Sequence, residues 1–359
     1  MASNFEHGST SSKQRVVEFK KELDALGIQY YHLSFSRKIT DVSSNVKVYR
    51  QIKDLMLNND YDFVHCHSPI GGVCGRLAAH STRTSVIYTA HGFHFFEGAP
   101  LKNWLLYYPV ERMLAYWTDV LITINHEDFS RVKRSFKPKR VEYIPGVGLD
   151  TRKFGGAIID RRAKRQEIGV PNDAILLFSV GELGSRKNHE TAIRALSKLN
   201  NDNIYYVICG QGDLHQYLKN LSYELGISDR VFLLGFRSDI SELCKSSDIY
   251  VFPSQREGLG IAALEGMASG LPLISSYING VRDYTEDGET GFCLEPFDVD
   301  GFAEAMDKLA GDAKLRQKMG KHNLEAVKGF DIEIVSKIME KIYITQLEKN
   351  TTMSSAENL

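Results

Sequence analysis

The sequence has no long apolar run, no paired cysteines and no excess of charge of either sign. No apolar run approaches the ~20 residues that a helix needs to cross a bilayer. The five cysteines are scattered without a Cys-x-x-Cys pair, which is typical of reduced thiols and not of a disulfide framework or zinc site. The formal net charge is only −1, so composition gives no reason to expect a nucleic-acid partner.

The first residues also lack the apolar segment of a signal peptide. Residues 1–8 are largely polar, so we expect a cytoplasmic protein, or one that touches the inner face of the cell membrane from the cytoplasm. With 359 residues and a hydrophobic content of 43%, the chain is long and apolar enough for two domains, each with its own core.

Short apolar runs alternate with stretches of helical periodicity along the chain. The runs that predict strands are 28–33, 61–67, 85–90, 119–124, 141–144, 175–180, 204–209, 231–236, 249–252 and 271–276. This order is typical of parallel sheets and predicts an α/β protein with two Rossmann-like domains that face a central crevice. We expect domains over 1–155, closed by a glycine-rich turn, and 165–330. A last helix is predicted to end at Leu347, before a polar, frayed tail over 348–359.

Two carboxylates eight positions apart flank a glycine-rich turn. An apolar run precedes this turn, Gly258 and Gly260 predict a turn too tight for side chains, and a helix is expected from Ile261. The N-terminus of that helix suits a phosphate, whereas Glu257 and Glu265 suit hydroxyl groups. Phosphates beside hydroxyls indicate a nucleotide-sugar. The alternative is a helix-capping turn with surface glutamates.

A second loop carries cations between a predicted strand and a helix. Arg186 and Lys187 follow Gly181 and stand at a helix N-terminus, where positive charge opposes the helix dipole. Phosphate binding explains them, and a solvated loop is the alternative. Gly210-Gln-Gly212 lacks the third glycine and the acidic residue of a dinucleotide site, so neither nicotinamide nor flavin is expected.

Three histidines stand where predicted strands end. His65 and His67 point to the same face if their strand continues that far, and His91 precedes a glycine after a buried strand. A polar ligand edge explains these histidines without a metal, and no third ligand stands at metal-site spacing. Purely structural histidines are the alternative.

Residues 93–140 combine aromatic, aliphatic and basic side chains. The apolar members are Phe93, Phe95, Phe96, Trp104, Leu105, Leu106, Tyr107, Tyr108 and Trp117. Six cations follow within residues 131–140. This combination fits a peripheral patch on an anionic membrane, and equally fits core aromatics beside an exposed helix end.

Four spacings resemble those of family-4 retaining glycosyltransferases with the GT-B fold. They are Glu-x₇-Glu, Gly-x₄-Arg-Lys-Asn, Gly-x-Gly and Asp-Gly-x-x-Gly-Phe (Asp287 to Phe292). In the N-terminal half, Val-His-Cys-His-Ser-Pro and Tyr-Thr-Ala-His-Gly-Phe-His resemble the branch that builds bacterial capsular and extracellular polysaccharides. The resemblance implies transfer of a hexose or N-acetylhexosamine from a UDP-sugar to a lipid-linked saccharide acceptor, with retention of configuration and without a metal or other cofactor.

The resemblance also implies a role for each matching residue. The acceptor would bind to the N-terminal domain, the donor to the C-terminal domain, and the helix over 331–347 would return toward the N-terminal domain. The expected catalytic residues are His91 and Glu257. The expected donor-binding residues are Gly181, Arg186, Lys187, Gly210, Phe236, Arg237, Gly258, Leu259, Gly260 and Glu265. The acceptor-side candidates are His67 and His94.

Three departures from the family pattern limit this reading. Glu182 stands where arginine is common, and Gly280-Val-Arg-Asp replaces Gly-Val-Pro-Glu. Family members begin with a strand, a loop and a helix ahead of Met1, so the resemblance implies an N-terminal domain without its first strand–helix unit. We therefore expect donor binding with weak or no turnover. A non-catalytic nucleotide-sugar-binding partner of a polysaccharide assembly complex and a nucleotide-sugar epimerase of the same fold are the alternatives.

Overall fold

The computed structural model describes residues 1–5, 13–35 and 41–357. Residues 6–8 of the polar N-terminal segment and 358–359 of the predicted tail lie outside this range. The strands are β1 (Ala2–Ser3), β2 (Tyr31–His32), β3 (Phe63–His67), β4 (Ser85–Ala90), β5 (Val120–Thr123), β6 (Arg140–Tyr143), β7 (Ile175–Val180), β8 (Ile204–Cys209), β9 (Val231–Leu233), β10 (Ile249–Phe252), β11 (Leu273–Ser276) and β12 (Gly291–Leu294).

Helices alternate with these strands. They are α1 (Lys13–Ala25), α2 (Val42–Asn58), α3 (Pro69–Thr82), α4 (Leu101–Ala115), α5 (His126–Ser135), α6 (Thr151–Gly155), α7 (Arg161–Glu167), α8 (His189–Ser197), α9 (His215–Glu224), α10 (Ile240–Ser246), α11 (Ile261–Ala268), α12 (Val299–Gly311), α13 (Ala313–Ala326) and α14 (Ile332–Glu357). The α/β class is confirmed. No helix in the described part of the chain is long and apolar enough to cross a membrane.

The chain divides into two compact units. The first comprises Met1–Thr123, Asp128–Tyr143 and Glu340–Leu359, and the second comprises Ile124–Glu127 and Ile144–Met339. Residues 144–155, predicted to close the first domain, thus belong to the second unit. The reason is packing, because Phe154 on α6 is buried and α6 contacts α11.

The described strands of the first unit form two parallel sheets. β1 pairs only with β2, and β3 to β6 form a separate sheet in the order β3-β4-β5-β6. β4 and β5 are the most deeply buried of these strands. One edge of β1 and one edge of β3 therefore have no strand partner among the described residues.

The second unit contains one six-stranded parallel sheet with the order β12-β11-β10-β7-β8-β9. The chain proceeds from β7 through β8 to β9 on one side, and from β10 through β11 to β12 on the other. The strand order therefore reverses between β7 and β10. In open α/β sheets such a switch point is where ligands bind, beyond the carboxyl ends of the strands.

Several elements differ from the sequence-based expectation. Helix α4 was not predicted, because its apolar residues surround the whole helix and Pro109 lies inside it. Helix α6 replaces part of the predicted turn, and Asp150 caps it by accepting a hydrogen bond from the Lys153 N–H at 2.9 Å. Short α7, α10 and β12 were also missed.

The predicted end of the last helix at Leu347 is wrong, because α14 continues to Glu357. Tertiary hydrogen bonds in the first unit explain the longer helix. The Asn350 amide donates to the Asp62 carbonyl at 2.6 Å, and the Ser85 hydroxyl donates to the Asn350 amide oxygen at 2.9 Å. A polar composition therefore gave no indication that this segment is anchored.

Candidate functional site

Glycines join the carboxyl ends of β7, β8 and β9 in the second unit. The Gly181 N–H donates to the Cys209 carbonyl at 2.9 Å, and the Gly210 N–H donates to the Gly235 carbonyl at 2.8 Å. A Cβ atom on Gly210 would lie 1.8 Å from the Gly181 carbonyl oxygen. Position 210 therefore requires glycine, because any side chain would separate the strand ends.

Lys187 lies against this strand end. A Cβ atom on Gly181 would lie 3.0 Å from Lys187 Cδ, so the glycine leaves space for the lysine side chain. The Lys187 ammonium lies 5.1 Å from the centre of the Phe252 ring, which is a cation–π contact. The lysine charge is thus held at the switch point between β7 and β10.

Arg186 and Lys187 both contact a single oxygen of Glu257. Arg186 Nη1 lies 2.9 Å and Lys187 Nζ 2.7 Å from Glu257 Oε1. Two further hydrogen bonds join the loop after β7 to the loop after β10. The Gln255 N–H donates to the Arg186 carbonyl at 2.8 Å, and the Gln255 side-chain amide donates to the Ser185 carbonyl at 2.9 Å. The structure thus brings together three residues that sequence reasoning assigned to one site from two separate motifs.

The turn between Glu257 and α11 is fixed by contacts on both of its sides. Gly260 has a left-handed backbone with φ of 87°, and no side chain caps the helix that follows it. The Tyr284 hydroxyl donates to the Leu259 carbonyl at 2.9 Å. The Asn125 amide donates to the Gly258 carbonyl at 3.0 Å. Helix α11 therefore starts at a rigid turn and presents its first N–H groups without a side-chain cap, as an anion-binding helix does.

Glu265 lies on α11, in the helix where the sequence placed it. Burial raises the pKa of Glu265 to about 7, and the charges of Lys153 and Lys187 counteract part of this rise. Within the described part of the chain Glu265 forms no ion pair. A largely buried carboxyl group without a cationic partner is suited to hydrogen bonding with hydroxyl groups.

Phe236 and Arg237 follow β9 and differ in their exposure and their contacts. The Phe236 ring is 76% exposed. Arg237 forms ion pairs of 2.5 Å with both Glu167 and Asp239, which raise its pKa above the ordinary value. The guanidinium is therefore already neutralised by carboxylates and is not associated with Arg186 and Lys187.

Three histidines form a cluster in the first unit, at the ends of β3 and β4. The rings of His65 and His67 are 4.2 Å apart, and His67 Nδ1 lies 3.0 Å from His91 Nε2. His65 contacts the hydroxyls of Thr89 at 2.8 Å and Tyr343 at 2.7 Å. Burial lowers the pKa of His65 to about 3, and lowers the pKa of His67 and of His91 below 6.5. All three imidazoles are consequently neutral near neutral pH.

A cavity of about 1000 Å³ lies beside this cluster, lined by both β1 and β3. The acceptor-side candidates His67 and His94 both line it, together with His65 and Tyr107. The His94 ring stacks on Tyr107 with 4.6 Å between ring centres. The rest of the lining is largely apolar: Leu33, Phe35, Ile52, Leu55, Met56, Phe63, Val64 and Ile70.

The aromatic stretch of the first unit lies partly in the core, and the peripheral membrane patch over residues 93–140 stays a prediction. Phe93 and Phe95 are buried and form one cluster with Phe136, against which Trp104 and Tyr108 pack. The exposed apolar residues of this region lie instead on α4 and just after it: Leu101, Leu105, Leu106, Val110, Met113 and Tyr116.

The six cations within residues 131–140 are partly neutralised by carboxylates. Arg131 pairs with Asp128 at 3.2 Å, Lys139 with Asp119 at 2.7 Å, and Arg140 with Glu142 at 3.2 Å. Lys133, Arg134 and Lys137 are exposed. The basic surface is therefore smaller than the sequence alone indicates.

Sequence reasoning missed Tyr284, Asn125 and Tyr343. Each contributes through a contact with a residue distant in sequence, and Tyr343 is 278 positions from its partner His65. No local pattern marks such residues. Within residues 1–5, 13–35 and 41–357 no group of three or more histidine, cysteine or acidic side chains is arranged to hold a metal.

Both halves of the chain match family models. Residues 160–325 match the model described as Glycosyl transferases group 1, and residues 11–125 match Glycosyl transferase 4-like. The putative glycosyltransferase EpsD of Bacillus subtilis (strain 168) is 39% identical over 318 residues, which cover 87% of this chain and 84% of EpsD. The Escherichia coli UDP-Gal:alpha-D-GlcNAc-diphosphoundecaprenol alpha-1,3-galactosyltransferase is 32% identical over 302 residues, covering 82% and 77%.

Solved structures show the same fold at low identity. Anabaena Alr3699/HepE in complex with UDP and glucose superposes with a TM-score of 0.78 at 18% identity, covering 96% of this chain and 91% of that one. WaaG, a glycosyltransferase involved in lipopolysaccharide biosynthesis, superposes with a TM-score of 0.71 at 19% identity, covering 94% and 97%. The chain is a glycosyltransferase and belongs to the family-4 glycosyltransferases of the GT-B fold.

Proposed function

We propose that the protein transfers a hexose or N-acetylhexosamine from a UDP-sugar to a lipid-linked saccharide acceptor, with retention of configuration, in bacterial cell-surface polysaccharide synthesis. The observation that carries the proposal is the convergence of Arg186, Lys187 and Glu257 beside the N-terminus of α11. The Escherichia coli relative, by its name, uses UDP-galactose and a diphosphoundecaprenol-linked acceptor, and this supports the same donor and acceptor classes here.

On this proposal the second unit binds the donor. Arg186, Lys187 and the first N–H groups of α11 hold the diphosphate, because two cations and a helix N-terminus stabilise a dianionic leaving group. Glu257 accepts hydrogen bonds from the sugar, and Glu265 from the ribose. The exposed ring of Phe236 provides a surface for the base.

The reaction needs no protein nucleophile and no metal. The acceptor oxygen attacks the anomeric carbon on the face from which UDP leaves. The bond from the anomeric carbon to the phosphate oxygen breaks, and the acceptor hydroxyl proton passes to that oxygen. The neutral imidazole of His91, hydrogen-bonded to His67 at 3.0 Å, has a role in the transfer step in this proposal. Arg186 and Lys187 supply the positive charge that a metal supplies in other phosphate-releasing enzymes.

The first unit binds the acceptor in the cavity lined by His67 and His94. The histidines and Tyr107 supply polar contacts for a saccharide. The exposed apolar residues of α4, with cations such as Lys133 and Arg134 on α5, make peripheral contact with an anionic membrane.

The test is incubation with a panel of UDP-sugars, with and without a bacterial membrane lipid extract. We expect binding of a UDP-sugar and acceptor-dependent release of UDP, at a low rate. Release that does not need the acceptor would favour an epimerase or hydrolase, and binding without any release would favour a non-catalytic partner. The variant Arg186→Ala should bind the donor at least about tenfold more weakly, because it removes one of the two diphosphate cations.

A further inference from the structure

We propose that Glu257 makes the donor site discriminate a UDP-sugar from free UDP, because its carboxylate neutralises the diphosphate cations whenever no sugar is bound. The inference rests on the proposed function, since it assumes that Arg186 and Lys187 bind a diphosphate. It adds a specificity role to a residue that otherwise only contacts the sugar.

The geometry that leads to this inference is the sharing of one carboxylate oxygen by both cations. Glu257 Oε1 accepts from Lys187 Nζ at 2.7 Å and from Arg186 Nη1 at 2.9 Å. The side chains of Glu257 and Lys187 are only 10% and 12% exposed. This is therefore a sheltered ion pair that water does not readily replace, unlike an exposed surface pair.

Free UDP cannot use these cations without disturbing Glu257. Its diphosphate must displace the carboxylate oxygen or share the cations with it, and sharing brings anionic oxygens close together. A displaced, sheltered carboxylate has lost its partners and gains none from UDP, which is unfavourable. The binding free energy of UDP is therefore less favourable, because UDP must break the ion pairs of Glu257 with Arg186 and Lys187.

A UDP-sugar changes this balance. Its sugar hydroxyls donate hydrogen bonds to Glu257 as the diphosphate takes over Arg186 and Lys187, so every charged group keeps a partner. Specificity of this kind comes from a penalty against the wrong ligand as well as from contacts with the right one. After transfer the sugar contacts are gone, Glu257 recovers its cations, and UDP release is favoured.

Glu265 provides the contrast that separates this mechanism from a general effect of negative charge. Glu265 interacts electrostatically with Lys187 but forms no ion pair with it. It would contact the ribose, which UDP and a UDP-sugar share. Loss of its carboxylate should therefore change the affinities for both ligands in the same direction and by similar factors.

The test is calorimetric titration of the full chain with UDP and with the UDP-sugar that binds most tightly in the panel. In Glu257→Gln we expect UDP to bind about tenfold more tightly and the UDP-sugar no more tightly than before, because the amide keeps the shape but not the charge. Glu289→Gln is the matched control, since its carboxylate pairs with Lys318 at 3.1 Å on the exposed surface. It should leave both dissociation constants unchanged.

Combining Glu257→Gln with a second substitution, Arg186→Gln, tests whether Glu257 acts through the cations. In Arg186→Gln one of the two cations is absent, so the gain in UDP affinity from Glu257→Gln should shrink by several fold, as expected for residues in one network. A lower melting temperature of Glu257→Gln would show that the glutamine perturbs the turn. In that case Glu257→Ala should likewise bind UDP more tightly and the UDP-sugar no more tightly than the unaltered protein.

The two proposals fail in different ways. If the unaltered protein binds UDP, and Glu257→Gln and Glu257→Ala both bind UDP equally or more weakly, the inference about Glu257 is wrong and the donor site remains. If the unaltered protein binds neither UDP nor any UDP-sugar, the proposed function itself is wrong.

Discussion

At the scale of single residues, the proposed donor site depends on small side chains that leave space for charged ones. Gly181 illustrates this, because Lys187 occupies the volume that a side chain at 181 would fill. The sequence alone located Gly181, Arg186 and Lys187 through the chemistry of a phosphate loop. It did not reveal that the glycine accommodates the lysine, since that requires the folded positions of both.

We expect Gly181→Ala to weaken UDP-sugar binding by about tenfold, because the new methyl group would displace the Lys187 side chain that contacts the diphosphate. The melting temperature should change little, since a flexible lysine chain can move aside. Titration calorimetry and thermal unfolding measure the two effects. Gly311→Ala is the matched control, because nothing lies within 4 Å of the added atom there. Unchanged binding in Gly181→Ala would contradict the contact.

His65 leads to a prediction about pH. Burial lowers the pKa of His65 from 6.5 to about 3, so the unfolded chain takes up a proton more readily than the folded chain does. The free energy of unfolding should therefore fall as the pH decreases from about 6.5 toward about 3. His65→Gln should reduce the part of this fall that occurs between about pH 6.5 and pH 5, measured by urea unfolding at several pH values.

His189 is the reason that the fall will not disappear in this variant. It is buried in the second unit, and its pKa is also lowered to about 3. A steeper loss of stability in His65→Gln than in the unaltered protein would show that His65 is not the neutral, buried group described here.

At the scale of elements, strands that are continuous apolar runs were predicted accurately. Helices without a clear apolar face or with distant anchors were not. β4, β7, β8 and β10 were predicted with their observed bounds, because each is a short apolar run with clear polar or glycine boundaries. Helix α4 was missed because apolar residues surround it and Pro109 interrupts its pattern. The end of α14 was missed because its anchors, Asp62 and Ser85, lie far away in sequence.

Helix α4 carries the prediction about the membrane. Leu105 is 71% exposed, so Leu105→Asp should leave the melting temperature nearly unchanged. It should lower partitioning onto vesicles that contain anionic lipid by about tenfold, since a leucine is then no longer inserted. Sedimentation with vesicles measures this.

Tyr223→Asp is the matched control, because Tyr223 is an equally exposed residue of the second unit, 77% exposed on α9. It should sediment with vesicles as the unaltered protein does. Equal loss of partitioning in the two variants would argue against a specific role of α4.

At the scale of the whole molecule, the two units carry different parts of the proposed chemistry. The second unit contains the cations and carboxylates of the proposed donor site, and the first contains the histidines and the cavity of the proposed acceptor site. The sequence predicted both groups of residues by motif. The cavity is lined by β1 and β3, which belong to separate sheets among the described strands.

This division predicts a separation of binding from turnover. His91→Asn should leave the dissociation constant of the UDP-sugar within about twofold, because His91 belongs to the first unit. It should lower kcat by about 10²-fold or more if His91 acts in the transfer step. Titration calorimetry and steady-state kinetics give the two values. Weakened donor binding with unchanged kcat would place His91 outside the proposed role.

In the proposed function, Lys187 and its neighbours bind and stabilise the diphosphate of a UDP-sugar donor. The most direct test compares acceptor-dependent UDP release by the unaltered protein and by Lys187→Met, which keeps an unbranched apolar chain against Phe252. We predict that kcat/KM falls by about 10²–10³-fold, the usual effect of removing one such stabilising group. UDP release that is unchanged by Lys187→Met would contradict the claim.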